Sequence, residues 1–382
     1  MILVFMLLGA VAVYLLLQVF YRKNWYKGLE ADVSFGVGHA VAGDTIEFTE
    51  VVTNRKRMPI PYVHLKFQMD RALVFEETGD NAQITDKVYR NDIFSLLMYQ
   101  RITRKVPLYC SKRGVYQVSG MEIVSSGMFM DEVLVLKKDA ATELVVYPAT
   151  VDTKMLDVAF SRLMGTIEKN KRLYEDPFVF RGIRDYTPTD TMNRINWKAS
   201  ARTGELMVNQ FNETICQEVC ILLNVEPEGM LKREELSEMS ISIAAGFAQM
   251  LIENGVSVSL ICNGFDYVSK ECVVTESASG LAHTKTINTA LARIDLSLEP
   301  VDYKWLMANH TSLAEEYANG GSHNKQPKVY VMISQNKRED LQEAFNQLTG
   351  GDSDCLWIVP ATKEDSTELK YSKAQRVVWE VK

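Results

Sequence analysis

The chain has 382 residues, 47% hydrophobic and 24% charged, the profile of a folded polypeptide with room for two or three domains. A net charge of −7 and a pI near 5.5 argue against a protein built to coat nucleic acid. Cys110, Cys216, Cys220, Cys262, Cys272 and Cys355 include no Cys-x-x-Cys pair, and the five histidines lack His-Glu-x-x-His or His-x-His spacing, which argues against a disulfide scaffold and a transition-metal motif.

Met1 to Tyr21 carries no charged side chain. At 1.5 Å rise per residue, a run of about twenty apolar residues crosses the ~30 Å hydrocarbon layer of a bilayer. Residues 1–21 are therefore expected to form a transmembrane helix, since backbone groups in lipid must bond to one another. No Lys or Arg precedes the run, unlike a cleaved signal peptide, whereas Arg22, Lys23 and Lys27 follow it. Tyr21, Trp25 and Tyr26 suit the interfacial belt. The basic flank predicts a single-pass protein of the cell membrane with its remaining domains in the cytoplasm, and the scattered cysteines agree with a reducing compartment.

Residues 28–150 change to period two. The run from Thr45 to Thr53 alternates in character, Tyr62 to Met69 repeats the pattern, and further runs cover Arg101–Leu108, Val115–Ile123 and Glu143–Tyr147. Several short strands separated by turn signals predict an antiparallel β-sandwich. No nucleophile-and-base constellation stands out in it.

Residues 151–215 read as a linker containing one unusual helix. Asp190 is placed as its N-cap and Gly204 as its left-handed terminator. Between them Arg194, Lys198 and Arg202 recur every fourth residue and share a face, while Ile195, Trp197 and Ala201 offer apolar surface. Two uses are open for the stripe. It docks an acidic partner or a phosphate, or Arg184, Arg194 and Arg202 pair internally with Asp176, Asp185 or Asp190 and pin the helix.

Residues 216–382 alternate strand and helix. Val219–Val225 is a near-continuous apolar run, Glu234–Glu253 has helical periodicity, and Val256–Cys262 and Phe265–Val274 flank Asn263-Gly264 as a hairpin. Strand Lys328–Ser334, helix Arg338–Leu348, strand Cys355–Val359 and a last strand near Arg376–Val381 complete a doubly wound sheet with one antiparallel edge strand. Ligands of such sheets sit beyond the carboxyl ends of the strands. There the chain offers Asn224, Glu226 and Glu228, with Asn263, Asp266 and Ser334 on neighbouring loops, and no phosphate-binding glycine loop. The oxygen donors suit Mg²⁺ or Ca²⁺ in type, or form a solvated acidic loop. Cys216 and Cys220 are expected to pack beside a strand.

The segment Arg184-Asp-Tyr-Thr-Pro-Thr-Asp190, followed by Arg194-Ile-Asn-Trp-Lys-Ala-Ser-Ala-Arg202 and Val208-Asn-Gln-Phe211, resembles the signature of a bacterial family catalogued as domain of unknown function fifty-eight. Its matching positions are Arg184, Tyr186, Asp190, Arg194, Trp197, Ser200 and Arg202, with Lys198 between them. Arg113-Gly-Val-Tyr116 and Val145-Val-Tyr-Pro148 look like the same family's sandwich landmarks. The resemblance implies a membrane anchor, a β-sandwich and a module similar to von Willebrand factor A domains. It further implies partners: MoxR-type AAA+ ATPases and neighbouring membrane proteins, beside whose genes members are typically encoded.

The chain departs from that pattern in several places. Thr189 stands where the family has glycine, and one span replaces the more usual pair. Asn224-Val-Glu-Pro-Glu228 occupies the place of the Mg²⁺-binding Asp-x-Ser-x-Ser of von Willebrand A domains, and Ser334-Gln335-Asn336 that of the later Asp-Gly. With no cofactor and no catalytic set, the leading expectation is a membrane-anchored adaptor that docks the ATPase or membrane proteins, with no role for nucleic acid. The alternatives are a Mg²⁺- or Ca²⁺-dependent binding module of the von Willebrand A type and an envelope hydrolase.

Overall fold

The computed structural model describes residues 2–75, 82–84, 87–126, 132–171, 180–187, 190, 192, 195–211, 218–229, 232–309, 328–349, 355–363 and 368–381. The chain divides into two compact units, Met1–Thr150 and Val151–Lys382.

The first unit begins with helix α1 (Ile2–Asn24). Its span Val4–Asn24 has mean hydropathy 2.2 and almost no buried surface, and is long and apolar enough to cross a membrane. The character changes in the last turn, where Tyr21 and the following Trp25 are buried in the core of the β-rich unit. A helix ends with carbonyls that lack intrahelical partners. Here Lys56 supplies the donors: its Nζ reaches Asn24 O at 3.0 Å and also Trp25 O. Burial pushes the Lys56 ammonium down to about 8. The helix thus runs into the β structure with its end held by a side chain from a β loop.

The β elements that follow are β1 (Leu29–Phe35), β2 (His39–Val41), β3 (Thr45–Asn54), β4 (Ile60–Asp70), β5 (Leu73–Phe75) and β6 (Ala82–Ile84). They continue with β7 (Lys87–Leu96), β8 (Arg101–Cys110), β9 (Gly114–Gln117), β10 (Ser119–Ser126), β11 (Val133–Lys137) and β12 (Glu143–Tyr147). They form a four-stranded sheet β1-β3-β8-β5, a five-stranded sheet β11-β10-β4-β7-β6 and a three-stranded sheet β2-β12-β9. All pairings are antiparallel except β2 with β12. Alternation fixes the inward face: Phe48, Val52, Val63, Leu65, Phe67 and Leu108 are buried in one core.

That core also contains charge. Glu50 on β3, and Arg90 and Asp92 on β7, are buried, and Arg104 on β8 reaches the same cluster. Arg90 Nε donates to Asp92 and lies 3.4 Å from Glu50 Oε1, while Arg104 Nη1 donates to Asp92 Oδ1 at 2.7 Å. The Arg90 guanidinium also stacks 4.1 Å above the Phe75 ring centroid. The cluster therefore joins the four- and five-stranded sheets. Burial, then the Asp92 carboxylate, pushes Glu50 up to about 8.

In the second unit the stretch expected as a linker supplies a core element. Helix α2 (Thr153–Lys171) buries Leu156, Ala159 and Leu163, spaced on one face, among the strands and helices that follow. A hairpin of β13 (Phe180–Asp185) and β14 (Met207–Phe211) brackets the short helix α3 (Trp197–Thr203).

The main sheet contains β15 (Glu218–Asn224), β16 (Ser257–Asp266), β17 (Cys272–Ala278), β18 (Ile294–Asp295), β19 (Lys328–Ser334), β20 (Leu356–Ala361) and β21 (Gln375–Glu380). The order is β17-β16-β15-β19-β20-β21, with β18 paired to β16. The strands from β16 to β21 in that order run parallel, and β17 is antiparallel at the edge. Side chains alternate between two cores. Val219, Ile221 and Leu223 face α2, α4 (Glu234–Glu253) and α5 (Leu281–Ala292), whereas Cys220 and Leu222 join Tyr303, Leu306, Leu341 and Phe345. Helices therefore cover both faces, which is why β15 is apolar from Val219 to Leu223.

One turn lies elsewhere than expected. Asn263-Gly264 sits inside β16, and the reversal into β17 falls at residues 267–270. Gly264 serves close packing, since a Cβ there would meet Ile294 Cγ2 at 2.7 Å.

Candidate functional site

In the main sheet the chain runs outward from β15 through β16 to β17, then returns to the other side of β15 as β19. The crevice at the carboxyl ends of β15 and β19 is the position where sheets of this kind bind ligands. Asn224 ends β15 and Ser334 ends β19, paired directly across the two strands. Both are buried, as is Asn263 on β16.

These side chains satisfy one another. Asn224 Nδ2 donates to Ser334 Oγ at 3.1 Å, and Ser334 Oγ donates onward to Asn336 O at 2.8 Å. Asn224 Oδ1 accepts from Glu226 N and from Asn263 Nδ2, both at 2.9 Å. Asn263 Oδ1 accepts from Val225 N at 2.9 Å, and its Nδ2 also reaches Val301 O. The network is neutral and closed, the condition under which polar groups are tolerated in a core.

Outside it stand two ion pairs. Arg338 Nη2 donates to Glu226 Oε1 at 2.5 Å, and Lys337 Nζ donates to Glu228 Oε2 at 2.6 Å. Burial raises the Glu226 carboxyl pKa, against the lowering effect of Arg338. Among the described residues, the buried carboxylate oxygen Glu226 Oε2 and the buried amide donor Asn336 Nδ2 at this rim lack partners. A divalent cation of the Mg²⁺ or Ca²⁺ type needs about six oxygens around it. Carboxylates already paired with Lys337 and Arg338, beside an amide N–H donor, do not fit such an ion.

A cleft beside the rim is lined by Val225, Pro227, Lys232, Ser237, Asp295 and Leu298, among others. Its hydroxyl, Ser237 Oγ, donates to Val225 O at 3.4 Å and accepts from Gln335 Nε2 at 2.9 Å. Burial pushes the Cys110 and Cys220 thiols up to about 11, away from the thiolate form. His283 is buried with Nε2 against Val258 O at 2.7 Å, a structural bond. Cys216 lies outside the described residues.

The second candidate is the α3 module. Asp190 does not cap the helix. Arg184 donates to both its oxygens, at 2.6 and 2.5 Å, and Thr187 adds its backbone N–H and hydroxyl. The Arg184 hydrogen bond, then those of Thr187, hold the Asp190 carboxyl well below the usual carboxylate range. The bidentate pair takes Asp190 from the helix, which starts later with Asn196 as its N-cap, Oδ1 accepting from Ala199 N at 3.0 Å. Gly204 terminates α3 in the left-handed region, at φ 82°.

Ser200 ties the helix to its hairpin. Its Oγ donates to Asn196 O and accepts from Met207 N, both at 2.9 Å. Ser200→Ala is expected to cost about 1–2 kcal/mol in thermal unfolding, because Met207 N–H loses its acceptor. Tyr186 N bonds Leu206 O in the same module.

Helix α3 has no buried residue. Trp197 is 67% exposed, and Lys198 and Arg202 are exposed with it. Met192, at 68% exposure, and Leu206 are exposed in the flanking segments. Asp176, Pro188, Thr189 and Arg194 lie outside the described residues, so the basic stripe is described at Lys198 and Arg202 alone.

Residues 182–356 match the model of a family described as "Protein of unknown function DUF58", which covers α3, the β13–β14 hairpin and most of the main sheet. The sequence matches no curated protein. Among solved structures, the chain is similar to the CARDB domain of the PF1109 protein from Pyrococcus furiosus, at 11% identity over 31% of this chain and 94% of that one, with a TM-score of 0.20. It is also similar to a non-cellulosomal cohesin from Archaeoglobus fulgidus, at 13% identity over 31% and 91% with a TM-score of 0.20. A beta-glucosidase from Listeria innocua shows 10% identity over 32% of this chain and 17% of that chain, with a TM-score of 0.18. At these scores the likenesses carry no argument.

Proposed function

We propose that this chain is a membrane-anchored docking protein that holds a partner at the bilayer through the α3 module. The observation that carries the reading is the exposed face of α3, where Trp197 stands in solvent beside Lys198 and Arg202 on a helix that buries nothing. A large amphipathic aromatic next to cations is the composition of an interface anchor. Helix α1 supplies the tether, single-pass with the two units on the cytoplasmic side, and tethering raises the local concentration of a modest binder. The β-rich unit, on this reading a sandwich, is a spacer.

The partner is a MoxR-type AAA+ ATPase or a neighbouring membrane protein, as the family resemblance implies. The second unit, on this reading of the von Willebrand A type, acts as a rigid platform whose rim replaces a metal with the Asn224–Asn263–Ser334 network. The test is co-purification of the full chain from detergent with the ATPase encoded beside its gene, trapped with nucleotide. The ATPase is retained by the wild type and lost with Trp197→Ala. Equal retention by both, or by neither, refutes the reading.

A further inference from the structure

The β-rich unit gathers unusual side chains at the end where α1 enters it. Lys56, which caps the helix through its Nζ, accepts at its own carbonyl from Tyr99 N at 3.1 Å. Buried Asn54 joins the same two loops, donating from Nδ2 to Met58 O at 3.0 Å and to Leu97 O at 2.8 Å. The β3–β4 and β7–β8 connections therefore stand together at the foot of the helix.

The tip of the second connection is Leu97-Met98-Tyr99, with exposures of 66%, 59% and 63%. Tyr99 adopts a left-handed φ of 52°, uncommon for a bulky side chain, so the chain turns sharply there with three large apolar groups in solvent. On the segments that the Lys56 bonds tie to this tip, the end of α1 and the β3–β4 connection, Arg22, Lys23, Lys27, Arg55 and Arg57 are exposed. Among the described residues, Glu132 pairs with Arg22 at 3.4 Å and Glu30 with Arg55 at 2.9 Å. This basic end belongs to a chain of net charge −7.

Apolar side chains at a loop tip bonded to basic segments, joined to a helix able to cross a bilayer, match the chemistry of a membrane interface. We propose that Leu97, Met98 and Tyr99 enter the headgroup layer of an anionic phospholipid bilayer while Lys23, Lys27, Arg55 and Arg57 meet its phosphates. This second membrane contact rests on the reading of α1 as an anchor. It commits the β-rich unit to lie against the bilayer, because the Lys56 bonds and the buried Tyr21 and Trp25 leave no flexible spacer between helix and strands.

The test uses hydrogen exchange of the peptide 96–101 in the full chain, incorporated in nanodiscs of phosphatidylcholine alone or with added phosphatidylglycerol. The proposal expects exchange slower by on the order of fivefold in the anionic discs, a difference erased by Arg55→Gln with Arg57→Gln. Equal rates in the two kinds of disc, or protection that survives both substitutions, overturn it and leave the anchor reading standing; an acidic protein partner for this surface would give that result. A chain that enters neither disc overturns the anchor and the proposal together.

Discussion

Arg90→Met is expected to destabilise the β-rich unit by about 3–5 kcal/mol, read as a lower thermal midpoint. The substitution leaves Glu50 and Asp92 buried without the guanidinium between them and removes the cation–π contact with Phe75. Replacing Glu50, Arg90 and Asp92 together with apolar residues of similar volume should recover most of that loss, since removing a whole buried ionic set costs far less than removing one member. The pH dependence carries a definite sign. Glu50 titrates at about 8 in the folded chain against 4.5 for a free side chain, so the fold holds its proton more tightly. The stability this provides is full below about pH 4.5 and is lost as pH rises through 8. Glu50→Gln should therefore gain most over the wild type at pH 9 and little at pH 5; an equal gain at both would show that Glu50 is ionised throughout.

Asn224→Ala is expected to cost about 3 kcal/mol, because it strips partners from Ser334 Oγ, Asn263 Nδ2 and Glu226 N–H in one step. Millimolar Mg²⁺ or Ca²⁺ should move the midpoint of neither the wild type nor this variant. The Asn224 and Asn263 amide oxygens already accept hydrogen bonds, and Lys337 and Arg338 hold positive charge against the two carboxylates. A midpoint that rises with either ion in the wild type would restore the metal-dependent alternative.

Much of the second unit was legible because its signals are local. The 3.6-residue pattern marks Glu234–Glu253, and the apolar run marks Lys328–Ser334, with the bounds the structure shows. The antiparallel partner of β16 was legible too, but its turn was not. Asn-Gly is a turn signal only when both residues are free to make the turn, and here Asn263 is held by the rim network and Gly264 by Ile294. Asp190 misleads for a similar reason: a bidentate guanidinium outcompetes a helix N-terminus for a carboxylate, and that partner is six residues away.

At the rim, Asn224, Glu226, Glu228 and Ser334 were legible as neighbours from their places after the strands. The pairing of both carboxylates with Lys337 and Arg338 was not, since these lie more than a hundred positions further along the chain. The helix α2 was hidden in an expected linker, although Leu156, Ala159 and Leu163 have helical spacing. The buried charge cluster had a faint signal: Glu50 keeps the phase of Phe48 and Val52 on β3, so a carboxylate occupies an inward position.

The account stands most directly on the affinity of the full chain, held in nanodiscs, for the nucleotide-trapped AAA+ ATPase. It predicts saturable binding that weakens roughly tenfold or more with Trp197→Ala combined with Lys198→Glu and Arg202→Glu, the scale of losing one anchor residue, while the thermal midpoint stays within about 1 °C. Binding that ignores those substitutions, or none at all to the wild type, would contradict it.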